Sequence, residues 1–119
     1  MPELGLAYDP SHLVWQFIDP YLPLREFGHK VMHVHAKDTQ VLRDTLQDVG
    51  IEGQGWWRYR IPGWGEMNWT RIISDLSESG YGGVISLEHE DPVWEGAEEK
   101  GTHALRLGRD FLRSIWECK

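Results

Sequence analysis

"VMHVHAKD", Val31 to Asp38, is an apolar run that carries two histidines one residue apart and ends on a lysine and an aspartate. Side chains on a β-strand alternate between its two faces. Met32, Val34 and Ala36 then share one face, while Val31, His33, His35 and Lys37 share the other. A face suited to packing under helices thus lies opposite a mostly polar one.

Two further stretches repeat this pattern. In "LGLAYD" (Leu4–Asp9), Leu4, Leu6 and Tyr8 lie opposite Gly5, Ala7 and Asp9. In "GGVISLEHED" (Gly82–Asp91), Ile85 and Leu87 lie opposite Val84, Ser86, Glu88 and Glu90. The three strands therefore deliver Asp9, His35 and Glu88 to the same end of a parallel sheet. Two carboxylates and an imidazole suit a divalent cation, with hard oxygens and one borderline nitrogen. The plainer reading is a hydrogen-bonded core histidine beside solvated carboxylates, with Asp9 capping the helix that starts at "PSH". The coincidence of all three in face and strand position favours a metal site or a polar active site.

Helices separate the strands. "DPYLPLREFG" predicts one with Asp19 as cap, Pro20 at the first helical position and Gly28 just past the end. "NWTRIISDLSESG" predicts another, capped by Asn68 and closed by Gly80, with Trp69, Ile72, Ile73 and Leu76 as its apolar stripe. The segment from Ala97 to Cys118 reads as a third, burying Ala104, Leu105, Leu107, Phe111, Leu112 and Ile115. Residues 39–66 show no sustained period and are interrupted by Gly50, Gly53, Gly55, Gly63 and Gly65. They read as a long loop on the active-site side, with one helical turn near Arg43–Gln47; loops of that length are often functional. Alternating strands and helices predict an α/β protein with a parallel sheet, and 119 residues form one domain.

Composition narrows the partners. A net charge of −7 repels a polyanion, and the one basic cluster, Arg58 and Arg60, is small, so nucleic acid is not expected. Cys118 is the single cysteine, which allows no intrachain disulfide and suits a reducing compartment. The start has no basic segment followed by an apolar core, and no run approaches the roughly 20 apolar residues of a membrane span. A cytoplasmic protein away from membranes is the expectation.

"LAYDPSHL", "VMHVHAKDT", "RIPGWGEMNW" and "GYGGVISLEHEDP" together resemble the C-terminal half of the xylose isomerase-like TIM-barrel proteins. These include sugar phosphate isomerases and epimerases, ketose 3-epimerases and inosose dehydratase-type enzymes. The resemblance implies a partial (β/α)₈ barrel of about three βα units, strands six to eight. It also implies one divalent ion (Mn, Mg, Co or Zn) bound by Asp9, His35 and Glu88, with Glu88 doubling as acid/base. By the same resemblance His12 contacts substrate and Arg60 points toward it. The implied reaction on a sugar or polyol is proton abstraction next to a carbonyl, through an enediolate. A polyol dehydratase of the inosose type is the near alternative. The DNA-repair endonuclease branch needs a three-metal cluster and a basic surface, which this acidic sequence does not offer.

The family's first metal-binding Glu would lie upstream of Met1, and a complete barrel needs about 250 residues. Three strands cannot close a barrel, so the outer strands would offer unpaired backbone and the inner face would be uncovered. The reading adopted is a truncated copy with an incomplete site. Self-association and a missing N-terminal half-barrel supplied by another chain are the other two readings. In the last case the chain would be a non-catalytic module.

Smaller features have two readings each. Trp56, Trp57, Tyr59 and Trp64 form either a wall for a sugar ring or a self-supporting lid. Trp64 is taken as substrate-binding. Lys37, also taken as substrate-binding, and Asp38 either polarise substrate or pair with each other. His33 is read as a supporting or core residue, and His89 as facing away from Glu88.

Overall fold

The structure is a computed structural model and describes residues 4–116. The chain runs β1 (Leu6–Tyr8), α1 (Ser11–Val14), α2 (Leu22–Phe27), β2 (Val31–Ala36), β3 (Asp38–Val41), α3 (Arg43–Val49), β4 (Trp57–Arg60), α4 (Trp69–Glu78), β5 (Ile85–Leu87) and α5 (Glu98–Trp116). Single 3₁₀ turns lie at Gly28–Lys30 and Pro92–Trp94.

Strands β1, β2 and β5 form a three-stranded parallel sheet with β2 in the centre. Helices follow β1 and β5, as in a run of barrel βα units. One face of the sheet meets the helices in a core built on Tyr8, Val34, Ala36, Ile72, Leu76 and Leu112, with Leu24, Met67 and Trp69 around it. β1 and β5 are the edges, and Met32 and Val84 are 74% and 67% exposed. The uncovered inner layer expected of three strands is therefore observed.

The face assignment for β2 holds from His33 onward and slips before it. Leu6 pairs with Val31 but Ala7 pairs with His33, so one step on β1 spans two on β2. Such a bulge shifts the alternation by one residue. Val31 consequently joins the core, and Met32 swings out across Gly5, where an added Cβ would lie 2.2 Å from its side chain.

The helices form where their sequences predict, with local differences. Asn68 accepts from the Arg71 backbone N–H, and α4 buries Trp69, Ile72, Ile73 and Leu76. Gly80 has φ +84°, the left-handed conformation that closes the helix without Cβ strain. α2 starts two residues later than expected, with Tyr21 rather than Asp19 at the N-cap; Asp19 accepts from the Tyr21 and Leu22 N–H groups ahead of it, Pro20 stays outside and Pro23 lies in the first turn. α5 begins at Glu98, and Cys118 lies outside the described residues.

Residues 39–66 differ most from the expected loop. β3 and β4 pair antiparallel, Asp38 with Arg60 through Val41 with Trp57, and α3 fills the connection. The tetrapeptide "WRYR" alternates strictly: Trp57 and Tyr59 meet edge to face at 5.0 Å, while Arg58 and Arg60 both donate to Gln40 on the other face. The glycines that interrupt the period lie in the connections around this ribbon, and a two-stranded element is too short to show in a wider window.

Candidate active site

The ends of β1, β2 and β5 carry Asp9, His35 and Glu88 at one end of the sheet, as the alternation predicts, with Lys37 between Asp9 and Glu88. His35 Nδ1 lies 2.6 Å from Glu88 Oε1. Lys37 Nζ lies 3.1 Å from Glu88 Oε2, 3.0 Å from Glu90 Oε1 and 3.5 Å from Asp9 Oδ2. His12 Nε2 stands 3.3 Å from Asp9 Oδ2. Four side chains from three strand ends, one from α1 and Glu90 thus form one connected polar cluster.

Each member is positioned by local backbone. Asp9 uses Oδ1 to accept from the N–H and hydroxyl of Ser11, starting α1, which leaves Oδ2 facing Lys37 and His12. One Asp9 oxygen thus holds the turn and the other faces the cluster, while Pro10 takes the N-cap position of α1. Register places His35 beside Ser86, so Glu88 falls two residues beyond on the same face. His33 lies one layer deeper, sharing a hydrogen bond with Ser86 Oγ at 2.9 Å and packing edge-on against His35. It supports the site from below, as its depth in the strand suggests. His89 turns away: Nδ1 accepts from the Asp91 N–H and Nε2 donates to the Trp94 carbonyl.

Burial and charge set the protonation of the cluster. Burial raises the Glu88 carboxyl, but hydrogen bonds from Lys37 and His35 outweigh it and hold Glu88 below the usual glutamate range. Burial disfavours the Lys37 charge, but Glu90, Glu88 and Asp9 outweigh it and hold the ammonium above the usual lysine range. At neutral pH Glu88 is therefore a carboxylate and Lys37 an ammonium. Lys37 and Asp38 do not pair with each other: Asp38 turns the other way and accepts from Thr39, Gly63 and Met67 N–H groups and the Trp69 indole.

Two residues expected at the substrate lie elsewhere. Arg60 is 8% exposed, with Nε 2.8 Å from Asp91 and Nη1 bonded to Gln40. Trp64 is half exposed and edge-on to Trp94 at 6.3 Å. Of the expected aromatic group, Trp57 stacks on Trp15 at 4.6 Å and meets Tyr59 edge to face at 5.0 Å. Tyr59 reaches the cluster directly, with its hydroxyl 2.9 Å from His12 Nδ1 and its ring 4.4 Å from Lys37 Nζ. Glu90 and Tyr59 had sequence signals: Glu90 lies two residues beyond Glu88 on one face, and Tyr59 alternates with Trp57.

In kind, Asp9, His35 and Glu88 fit a divalent cation, and two of their oxygens already converge on one positive charge. Among the described residues, no three His, Cys, Asp or Glu side chains stand close enough together to hold a metal. Water, substrate oxygens or groups from other strands would have to complete a shell. A separate groove of about 430 Å³ lies between β5 and α5, lined by Ile85, Leu87, Leu112 and Trp116 among others. It contains none of the strand-end acids or imidazoles, so the polar mouth is the candidate site. Among the described residues no helix is long and apolar enough to cross a membrane.

Comparison with known proteins agrees with this architecture. The chain is 35% identical over 100 residues to "Uncharacterized protein YfiH" of Bacillus subtilis, covering 76% of the chain and 32% of that protein. It is 30% identical over 115 residues to an inosose dehydratase of Clostridium botulinum, covering 91% of the chain and 37% of that protein. The chain therefore spans about a third of the length of these relatives. Its fold matches a xylose isomerase domain protein from Planctomyces limnophilus with TM-score 0.68 at 24% identity, over 99% of this chain and 39% of that one. It matches D-psicose 3-epimerase from Clostridium cellulolyticum with TM-score 0.60 at 17% identity, over 91% and 36% of the two chains. Residues 1–115 match the family described as "Xylose isomerase-like TIM barrel", and the chain belongs to that family.

Proposed function

We propose that this chain carries part of the active site of a metal-dependent sugar, or sugar phosphate, isomerase or epimerase. The observation that supports this most is the meeting of Asp9, His35 and Glu88 at the C-terminal ends of three parallel strands, the end where barrel enzymes act. Asp9, His35 and Glu88 would hold the divalent ion. The chemistry supplied when such an ion is bound is Lewis-acid polarisation of the substrate oxygen.

Glu88 is the base in this reading. Held beside His35, its carboxylate accepts the proton from the carbon next to the carbonyl. The C–H electron pair moves into the carbon framework and the carbonyl oxygen becomes the enediolate oxygen. Isomerisation returns a proton to the neighbouring carbon, whereas epimerisation returns it to the same carbon on the other face. His12, held by Asp9 and Tyr59, orients a substrate hydroxyl, and Trp15, Trp57 and Tyr59 offer apolar surface to the ring C–H groups.

A dehydratase acting on a cyclic polyol is the second reading, favoured by the inosose dehydratases among the relatives. It begins with the same proton abstraction and differs in expelling the β-hydroxyl as water. Incubation with ketoses and inososes in D₂O, followed by NMR, tests both. Deuterium at the carbon next to the carbonyl is expected for either reading, and an enone-type product separates the dehydratase. Glu88→Gln is expected to cut exchange at least about 100-fold, the usual contribution of a positioned base. Undiminished exchange in that variant would remove Glu88 as the base. Calorimetric titration with a divalent metal, comparing wild type with His35→Ala, tests the ligand set; equal affinities would remove His35.

A further inference from the structure

Lys37 is 2% exposed, yet its ammonium lies within 3.5 Å of three carboxylates, Asp9, Glu88 and Glu90. Its remaining surroundings include the Tyr59 ring face at 4.4 Å. Without a cation among them, the converging carboxylates would repel one another. Its two shortest contacts, to Glu88 and Glu90, are hydrogen bonds, so the lysine is held by both ends of the cluster rather than pointing into open space.

Asp9 Oδ2 and Glu88 Oε2 both face the ammonium. A divalent ion held by these two side chains would have to enter the space between them, and two cations cannot share it. Glu90 lies on the outer rim, with its side chain 53% exposed, and can keep the ammonium after Asp9 and Glu88 release it.

We infer that Lys37 is a built-in counter-cation: it holds Asp9 and Glu88 together in the metal-free protein and moves off them, retained by Glu90, when they take a divalent ion. This rests on the metal-site reading proposed above.

The test uses the full chain, Zn²⁺ alone as probe, and two readouts. In ¹⁵N-labelled wild type, the Lys37 ammonium resonance is expected to be protected from exchange without metal and to shift as Zn²⁺ is added. By calorimetry, Lys37→Met is expected to bind Zn²⁺ about ten-fold tighter than wild type, having no competing cation to displace. Glu90→Gln is expected to bind it several-fold more weakly. Lys37→Met is also expected to melt lower without Zn²⁺ and to regain most of that loss with it. An ammonium resonance unmoved by bound Zn²⁺ would overturn the inference even if the variant fails to fold. So would a folded Lys37→Met that binds no tighter than wild type. If that happens while His35→Ala and Asp9→Asn still abolish binding, the metal site stands and the lysine role alone falls. If wild type and Lys37→Met both bind no Zn²⁺, the two fall together.

Discussion

Asp38 and Asp91 accept five of their seven hydrogen bonds from backbone N–H groups, whereas Asp9 and Glu88 meet mainly the side-chain cations and imidazoles of Lys37, His12 and His35. The first pair is fully buried and frames the β3–β4 ribbon. The second lies at the mouth, with side chains 14% and 33% exposed. Backbone donors cannot leave without unfolding the segment that carries them. Side-chain partners can rotate away, so the mouth can exchange them for a ligand while the ribbon keeps its shape. Carboxylates of one type thus serve architecture in one place and chemistry in the other.

The sharpest way to break this contrast is to remove Asp38. Asp38→Ala leaves four N–H donors without their acceptor, three of them backbone groups, of which Gly63 and Met67 tie residues 63–67 to β3. A stability loss of about 4 kcal/mol or more is expected by denaturant titration, in the range reserved for broken buried networks. Asp9→Asn, by contrast, is expected to cost under about 1 kcal/mol, because its side-chain oxygen can still accept from Ser11 and Lys37 keeps Glu88 and Glu90. Similar losses from both would erase the distinction. Arg60→Met comes next: it strands the buried Asp91 carboxylate and is expected to cost about 3 kcal/mol.

Acid separates the two groups in a different way. Burial outweighs the four hydrogen bonds and raises Asp38 above its ordinary range, so its ionisation works against folding and its protonation relieves that cost. Glu88 is lowered: its contribution is present above the usual glutamate value and is lost as pH falls through its lower folded value. Acid unfolding midpoints are therefore expected to shift with Glu88→Gln, whose stability should fall less steeply on the acid side than that of wild type. Parallel acid branches for the two proteins would show that Glu88 is not stabilised by its neighbours.

The mouth was largely legible from alternation, because a strand's period survives wherever both faces have distinct jobs. Asp9, His35, Glu88 and the supporting role of His33 all follow from it. The Met32 exposure did not, since a bulge depends on the neighbouring strand and leaves no mark in "VMHVHAKD" itself. The ribbon was hidden for another reason: β3 and β4 have four residues each, and their pairing is set across a 15-residue connection. Arg60 shows the consequence. The family resemblance implies a substrate contact for it, but strand pairing turns it to Gln40 and Asp91, on the face opposite Tyr59.

Tyr59 is where the two regions touch, since it belongs to the ribbon strand β4 but bonds to His12 at the mouth. If the ribbon is architecture and the mouth is exchangeable, cutting this link should disturb the mouth alone. Tyr59→Phe keeps the ring, and therefore the packing on Trp57 and the face toward Lys37, while removing the hydroxyl. The His12 side chain is 52% exposed, so the lost bond is expected to cost only about 0.5–1 kcal/mol. The His12 ring signals should move in NMR spectra while the backbone amides of β3 and β4 stay in place. A double-mutant cycle with His12→Ala should return most of that energy as coupling, because the bond that Tyr59→Phe removes is the one it shares with His12. Amide shifts spreading through β3 would instead mean that the ribbon's shape depends on the mouth, and that the two sets of carboxylates form one cooperative unit.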